Sequence, residues 1–273
     1  MKLNILFFLT IAQFCFAQVW VNSLEEAKKL AKATNQFIIL DFNATWCQPC
    51  KVMETEFWYN KQYKNTLDKF IIVSVDIDRS KDITQWYNVV SIPNIKLLDV
   101  NGDVIYETLG FNNADSFNRE LNDFPETSEN LYENLNFKNK KSPTDEELIN
   151  LATSYQILLQ KSKNNARNIF FRLSNNFFDK CIKKTSNINY KETSELGKFF
   201  NLVLTDSGQK VVKKLDISTI SDENKPFANY ILAKANYLEN NKEEAEKNIA
   251  EIQKQGVEQW IYAAKKLKEK YTK

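Results

Sequence analysis

The spacing of hydrophobic positions changes along the chain. Residues 37–42 and 70–77 are short apolar runs rich in β-branched residues, which is typical of strands buried on both faces of a sheet. Two further strand-like runs flank Asn101 and Gly102, a dipeptide that favours a tight hairpin turn. The first part of the chain is therefore predicted to contain a sheet with a hairpin.

Helical periodicity alternates with these runs. Ser23 precedes a helical pattern and Glu26 follows three residues later, as in a capping box. A second helical stretch extends from about residue 50 to 68, and a last one follows Asn113. This alternation up to about residue 123 predicts an α/β domain.

Beyond that point only helical periodicity occurs. Residues 125–143 are polar, contain two prolines and show no sustained period, so we predict a linker there. A capping box at Thr144 and Glu147 opens an all-α region, residues 144–273, for which we predict about six or seven helices. The helical pattern is broken near Asn164, Asn187, Gly208, Pro226, Asn240 and Gly256.

Residues 226–256 are predicted to form two antiparallel helices joined by a turn. Small alanine positions would let the two helices approach closely, which resembles one tetratricopeptide-type hairpin. The apolar faces are Ala228, Leu232, Ala235 and Tyr237 on the first helix and Ala245, Ile249 and Ile252 on the second. No clean recurrence of about 34 residues is found upstream, so a generic helical bundle remains an equal alternative.

The composition is that of a globular protein able to bury a core. The 273 residues are 43% hydrophobic and 26% charged, a length that exceeds what most single domains need. The formal net charge is +2 with both signs interspersed, so neither a nucleic-acid surface nor a polybasic membrane patch is indicated. A small molecule or a protein is the expected substrate.

The N-terminus has the pattern of a secretory signal. One lysine precedes an apolar run at residues 3–12, and the small residues Cys15 and Ala17 follow. The run is shorter than the roughly 20 residues that a spanning helix needs. We therefore predict that residues 1–17 are a signal peptide cleaved before Gln18, that the mature protein is periplasmic, and that no transmembrane span remains.

Two cysteines with a two-residue spacing are the main chemical candidates. Loss of the signal would remove Cys15 and leave Cys47, Cys50 and Cys181. The close pair suits a redox couple, half of a metal site or a structural disulfide. A tetrahedral metal site needs two more ligands, and the chain has no His, so structural zinc is not expected. The lack of His also excludes Cys-His and Ser-His nucleophilic machinery.

A redox couple needs one thiolate near neutral pH. If a helix begins at about Gln48 and Pro49, Cys47 lies at its N-terminus, where unpaired amides and the helix dipole favour negative charge. Cys50, one turn later and more enclosed, is predicted to be the resolving thiol. Trp46 is expected to shield the pair.

The sequence WCQPC resembles the Trp-Cys-x-Pro-Cys motif of the thioredoxin family. Three further features match the family independently. Asp41 falls on its buried carboxylate, Ile92 and Pro93 fall on the isoleucine and cis-proline that face the cysteines, and Gly110 falls on a glycine beside the binding surface. The combination is most similar to exported thioredoxin-like domains, including the periplasmic end domain of the transmembrane reductant conductor.

The resemblance covers residues 19–123, within a predicted domain of residues 18–124, and nothing of the helical region. It implies an α/β thioredoxin fold, with a mixed central sheet flanked by helices. It also implies thiol-disulfide oxidoreductase activity through the Cys47–Cys50 disulfide, without another cofactor.

The matched residues have roles that the resemblance implies. Burial of Asp41 in an apolar strand would raise its pKa and let it exchange a proton with Cys50; a carboxylate satisfied by backbone donors is the alternative. A cis bond before Pro93 would leave the Ile92 backbone free to pair with an extended client segment, beside Gly110.

Three positions depart from the family pattern. Ser74 takes the place of the lysine that usually pairs with the buried carboxylate. Asn43 replaces an additional tryptophan upstream of the motif, and Asn94 replaces the threonine after the cis-proline. These departures concern the pKa of Asp41 and the floor of the site.

Gln48 and Pro49 are the residues that tune the redox potential. Strongly oxidising relatives carry His before the second Cys, and this chain has Pro49 there. We therefore expect a reducing potential of roughly −200 to −270 mV, a disulfide-containing client protein, and an inner-membrane electron donor. No G-x-G-x-x-G motif for a dinucleotide occurs.

The helical region is expected to select or position the client. Two alternative functions stay open: a redox-sensing scaffold, and a disulfide isomerase, which would favour a dimer. Cys181 lies in an apolar helical stripe with Phe177 and Phe178, which predicts a buried, inert thiol, with a regulatory or dimerising thiol as the alternative.

Overall fold

A computed structural model describes residues 19–271. The predicted signal peptide, residues 1–17, lies outside the described residues. Among residues 19–271, no helix combines the length and the apolar character required to cross a membrane.

A five-stranded mixed sheet forms the centre of the first part of the described chain. Its order is β1-β3-β2-β4-β5, with β1 and β2 parallel to β3, and β4 antiparallel to both β2 and β5. The strands are β1 Val19–Val21, β2 Phe37–Asn43, β3 Phe70–Asp76, β4 Asn94–Leu98 and β5 Val104–Leu109. The predicted fold class is confirmed.

The two apolar runs become the adjacent central strands β2 and β3. Six consecutive residues of β2, from Phe37 to Phe42, are buried, because helices cover both faces of the sheet. The register sets Asp41 beside Ser74 and Asn43 beside Asp76. Ser74 is therefore at the position predicted for it, next to the buried carboxylate.

Five helices belong to this part of the described chain: α1 Leu24–Thr34, α2 Gln48–Met53, α3 Lys64–Leu67, α4 Lys81–Trp86 and α5 Ala114–Asn122. The single helix predicted for residues 50–68 is wrong. A π-helical turn, Glu54–Trp58, and a 3₁₀ turn, Lys61–Tyr63, separate α2 from α3. The wider π turn lets Phe57 and Trp58 both pack edge-on against Phe117 of α5.

The β4–β5 hairpin exists, but its loop is longer than the predicted two-residue turn. The loop runs from Asp99 to Asp103, and the carboxylate of Asp99 accepts hydrogen bonds from the backbone N–H groups of Asn101 and Asp103. Gly102 has φ of +88°, which glycine adopts without strain. The Asp99 side chain therefore organises a wider turn than the dipeptide alone indicates.

Residues 125–143, predicted as a linker, form short helices that pack on the sheet. They contain α6 Leu131–Asn134 and a 3₁₀ turn, Leu135–Phe137. The Tyr132 hydroxyl donates a hydrogen bond of 2.5 Å to the Gln36 carbonyl oxygen, and Leu131 and Leu135 are buried. The domain boundaries stay a prediction, but this segment is a packed connection.

Within the described residues, seven helices follow, in agreement with the sequence. They are α7 Asp145–Lys161, α8 Asn164–Lys184, α9 Ile188–Leu204, α10 Gly208–Lys214, α11 Lys225–Leu238, α12 Lys242–Gln255 and α13 Glu258–Tyr271. Both bonds of the predicted capping box at Thr144 and Glu147 are present. A Cβ atom at Gly197 of α9 would lie 2.3 Å from the Phe178 ring, so glycine permits α8 and α9 to pack closely.

The predicted hairpin of residues 226–256 is present as α11 and α12. The apolar face predicted for α11 divides into two. Ala228, Leu232 and Ala235 pack toward α9 and α10, whereas Ala233 and Tyr237 pack with α12 and α13. Helix α11 is thus buried on two sides, because helices follow and precede it in the bundle.

One hydrophobic cluster joins the sheet to the first helices of the C-terminal part. Phe37, at the start of β2, contacts Tyr132 and Phe170, with ring centroids 6.3 and 6.4 Å apart. Asn43, at the other end of this seven-residue strand, lies about 20 Å away along β2 at the usual rise per residue. The helical part therefore packs at the end of β2 that is remote from Asn43.

A buried ion pair connects the same two parts. Lys138, from the packed connection, lies 3.1 Å from Asp99 Oδ2 and 2.7 Å from Asp103 Oδ2. Asp99 is fully buried in the β4–β5 loop. This pair holds residues 125–143 against the sheet.

We expect Lys138→Met to lower the free energy of unfolding by about 2–4 kcal/mol, because it leaves the Asp99 carboxylate buried without its counter-ion. Urea denaturation of the intact chain measures the change. Lys140→Met is the matched control, since Lys140 pairs with Glu147 at the surface and should cost less than about 1 kcal/mol. Equal effects of the two variants would contradict this view of the pair.

Candidate active site

The cysteine pair lies where β2 leads into α2. Cys47 is the N-cap residue of α2, and its Sγ atom accepts a hydrogen bond of 3.2 Å from the Cys50 backbone N–H. Gln48 and Pro49 form the exposed first turn, as predicted. The two cysteines are joined by a disulfide, with Cα atoms 5.3 Å apart.

Burial does not distinguish the two cysteine residues in this oxidised form. Cys50 was expected to be the more enclosed, but Cys47 is 3% exposed and Cys50 is 8% exposed. Ala44, Ile77 and Ile92 pack around both. The N-terminal position of Cys47, rather than its exposure, sets it apart.

Trp46 does not shield the pair in the way we expected. Its side chain is 64% exposed, and its indole N–H donates a hydrogen bond of 2.8 Å to Asp78 Oδ2. Asp78 was not among the residues predicted for the site. Asp78 lies two residues beyond the end of β3, a strand parallel to β2, and this position is the sequence signal that could have found it.

Ile92, Pro93 and Gly110 come together beside the cysteines. The Ile92–Pro93 peptide bond is cis, and Ile92 packs against the cluster of Ala44, Cys47 and Cys50. The Gly110 N–H donates a hydrogen bond of 2.8 Å to the Pro93 carbonyl oxygen. Gly110 has φ of +76° and open space where a Cβ would stand, so this wall of the site is flat.

Asn94, the residue after Pro93, is buried and directed toward the edge strand β5. Its side-chain amide donates a hydrogen bond of 2.8 Å to Glu107 Oε1. The ammonium of Lys96, also buried on β4, lies 2.6 Å from the same oxygen. Asn94 thus belongs to a polar cluster between β4 and β5.

Asp41 is a buried carboxyl group in the central strand. It is 6% exposed. Burial raises its pKa from 3.8 to about 7; the hydrogen bond from Asn43 opposes that rise, and the carboxylate of Glu54 adds to it. Near neutral pH, Asp41 can therefore both accept and release a proton.

A cavity of about 440 Å³ connects Asp41 with Cys50. Its lining comprises Trp20, Asp41, Asn43, Ala44, Thr45, Cys50, Lys51, Glu54, Trp58, Tyr59 and Ser74. The Asp41 carboxyl group and Cys50 thus line one cavity that is large enough for water molecules, which suits proton transfer between them.

Cys181 lies in α8, outside this site. It is fully buried, as predicted, and burial raises the pKa of its thiol; the inert role stays a prediction. Among residues 19–271, no group of three or more His, Cys, Asp or Glu side chains is arranged to hold a metal ion.

The first part of the chain is similar to known proteins of one family. The thioredoxin family model matches residues 18–123. The thioredoxin of Borreliella burgdorferi is 36% identical over 87 residues, which are 32% of this chain and 71% of that protein. Thiol:disulfide interchange protein DsbD of Vibrio cholerae is 28% identical over 89 residues, 31% of this chain and 15% of that protein. The crystal structure of thioredoxin NaTrxh from Nicotiana alata shares 27% identity, covers 38% of this chain and 88% of its own, and gives a TM-score of 0.32.

The raised pKa of Asp41 predicts a pH-dependent stability. Between pH 3.8 and about 7 the unfolded chain has lost this proton and the folded chain has kept it, so stability falls as pH rises. We expect Asp41→Asn to stabilise the protein at pH 8, by up to about 4 kcal/mol, and to have little effect below pH 4. Denaturant titrations at both pH values measure the free energy of unfolding of the two proteins. An equal stabilisation at pH 8 and below pH 4 would contradict the raised pKa of Asp41.

Proposed function

The chain belongs to the thioredoxin family and is a thiol-disulfide oxidoreductase, and on this premise we propose that it works after export and reduces disulfides in client proteins. The observation that carries the proposal is the position of Cys47. Its sulfur caps α2 and accepts the Cys50 N–H, so a thiolate there would gain a hydrogen bond and the favourable end of the helix dipole.

The reaction follows from this geometry. In the reduced protein, the Cys47 thiolate attacks a client disulfide, forms a mixed disulfide and releases one client sulfur as a thiolate. Cys50 then loses its proton to Asp41 and attacks the Cys47 sulfur. The second client thiolate leaves, the Cys47–Cys50 disulfide remains, and the client has gained two electrons.

The client surface is proposed to surround the cysteines at Trp46, Ile92, Pro93 and Gly110. Among the described residues, no backbone group bonds to the backbone of Ile92, and Gly110 offers a flat wall beside Pro93. An extended client segment could pair with Ile92 as a short added strand. Trp46, fixed by Asp78, supplies an exposed aromatic surface next to Cys47.

The direction of electron flow is proposed from the motif. Without His between the cysteines, the thiolate lacks the stabilisation found in oxidants, so the dithiol should be a reductant. A reductant in an oxidising compartment must be recharged. We propose an inner-membrane electron donor for this step; the partial similarity to thiol:disulfide interchange protein DsbD supports only that disulfides are exchanged.

Export and a periplasmic location are proposed from residues 1–17, whose charged start, apolar run and small residues suit signal cleavage. The helical part is proposed to select or position a client. Its packing at the remote end of β2 leaves the cysteine end open, which suits a protein substrate. The same packing also favours the alternative of a scaffold whose redox pair senses oxidation.

We expect Cys47→Ser in the intact chain to abolish disulfide exchange, because the attacking sulfur is lost. Cys50→Ser should retain the first attack and accumulate the mixed disulfide, which mass spectrometry detects. Cys181→Ser is the control and should leave exchange unchanged, since Cys181 is buried in α8. Exchange retained in Cys47→Ser would refute the reductase, whereas a partner captured equally by the double Cys variant would support the scaffold.

A separate measurement tests the proposed direction of electron flow, from the Cys47–Cys50 dithiol to the client. We expect the equilibrium potential of the Cys47–Cys50 pair to lie at roughly −200 to −270 mV. Titration with glutathione, with trapped thiols counted by mass, gives the value. Pro49→His is the matched variant and should make the potential less negative, because the imidazole stabilises the thiolate. A wild-type value near −120 mV, typical of oxidants, would exclude the reductase.

A further inference from the structure

Asn43 bridges the buried carboxyl group and the protein surface. Its amide nitrogen lies 3.2 Å from Asp41 Oδ2, 3.1 Å from the Asp41 carbonyl oxygen and 2.7 Å from Ser74 Oγ. Ser74 is exposed, whereas Asp41 is buried. Two of the three departures from the family pattern, Asn43 and Ser74, thus contact each other and replace both the missing tryptophan and the missing lysine.

These two residues also lie in the wall of the cavity that contains Asp41 and Cys50. Trp46, Ile92 and Gly110, which are proposed to contact the client, do not line this cavity. The cavity and the proposed client surface are therefore lined by different residues, and Cys50 belongs to the cavity.

We propose that Asn43 is a positioning residue for thiol exchange: by donating a hydrogen bond to Asp41, it favours the ionised carboxylate that takes the proton of Cys50. This inference rests on the proposed role of Asp41. A neutral amide and a hydroxyl here do part of what a lysine does in the family, without placing a positive charge beside the carboxyl.

Several other groups lie near Asp41, and their charges determine the direction in which each substitution should shift its titration midpoint. Glu54, directly after α2, opposes ionisation of Asp41 through its negative charge. Lys51 and Tyr59 line the same cavity as Cys50 and Asp41. From β3, Ser74 is the facing side chain, and it carries no charge.

Carboxyl titration by carbon-13 NMR of the full chain tests the inference directly, with Asp41→Asn used to assign the signal. Asn43→Leu keeps the branched shape and the number of heavy atoms but donates no hydrogen bond, so the Asp41 midpoint should rise by about half to one pH unit. Ser74→Ala removes the hydroxyl that accepts a hydrogen bond from Asn43, and it should raise the Asp41 midpoint by a smaller amount. Glu54→Gln should lower it, and Tyr59→Phe, at the cavity wall, should leave it unchanged.

The rate at which Cys50 resolves a mixed disulfide with a model peptide gives the second readout. At pH 7, Asn43→Leu should slow this step about two- to fivefold, because less carboxylate is present, and its pH profile should shift upward with the NMR midpoint. An unchanged or lowered midpoint in Asn43→Leu would overturn the inference, as would a raised midpoint with an unaltered rate. If Asn43→Leu fails to fold, the inference is tested with Ser74→Ala and Glu54→Gln. The first must raise the Asp41 titration midpoint and the second must lower it. Loss of exchange in Cys47→Ser is independent of these results, so the proposed function and this inference can fail separately.

Discussion

The parallel pairing of β2 with β3 is the constraint on which the site depends. Parallel strands place their carboxyl ends at the same edge of a sheet, so the chain leaves both strands toward one place. From β2 it continues to Cys47 and the N-terminus of α2, and from β3 to Asp78, which holds Trp46. One residue of slip between the strands would move Asp41 away from Ser74 and turn its side chain to the other face.

The same pairing creates a conflict between stability and chemistry. A strand covered on both faces favours apolar side chains, and Asp41 stands among them with a raised pKa. Only Asn43 donates to its carboxylate among the described side chains. The folded state is more stable relative to the unfolded chain when the Asp41 carboxyl group is protonated, whereas the proposed acceptance of a proton from Cys50 requires Asp41 to be ionised. With a pKa of about 7, Asp41 populates both protonation states near neutral pH, as the proposed proton transfer requires.

The sequence predicts those features of the structure that depend on local residue patterns or on the family motif. The two buried strands, the start of α2, the cis bond before Pro93 and the position of Ser74 were predicted because apolar periodicity, the position of proline and the family motif determine them. The broken helix after Cys50 and the wider hairpin loop were not, because tertiary packing of aromatics and the Asp99 side chain override local preference. The contact of Trp46 with Asp78 joins residues 32 positions apart, which no local pattern reveals.

The packing of the helical part has a consequence for how it can influence the chemistry. Tyr132 and Phe170 contact the start of β2, so the two parts share a core and cannot move as independent bodies without exposing it. That shared core lies about 20 Å along β2 from the carboxyl end that carries the site. The helices therefore do not cover the end of the sheet at which Cys47 lies, and any selection of clients by them must act through a second surface that binds the same client.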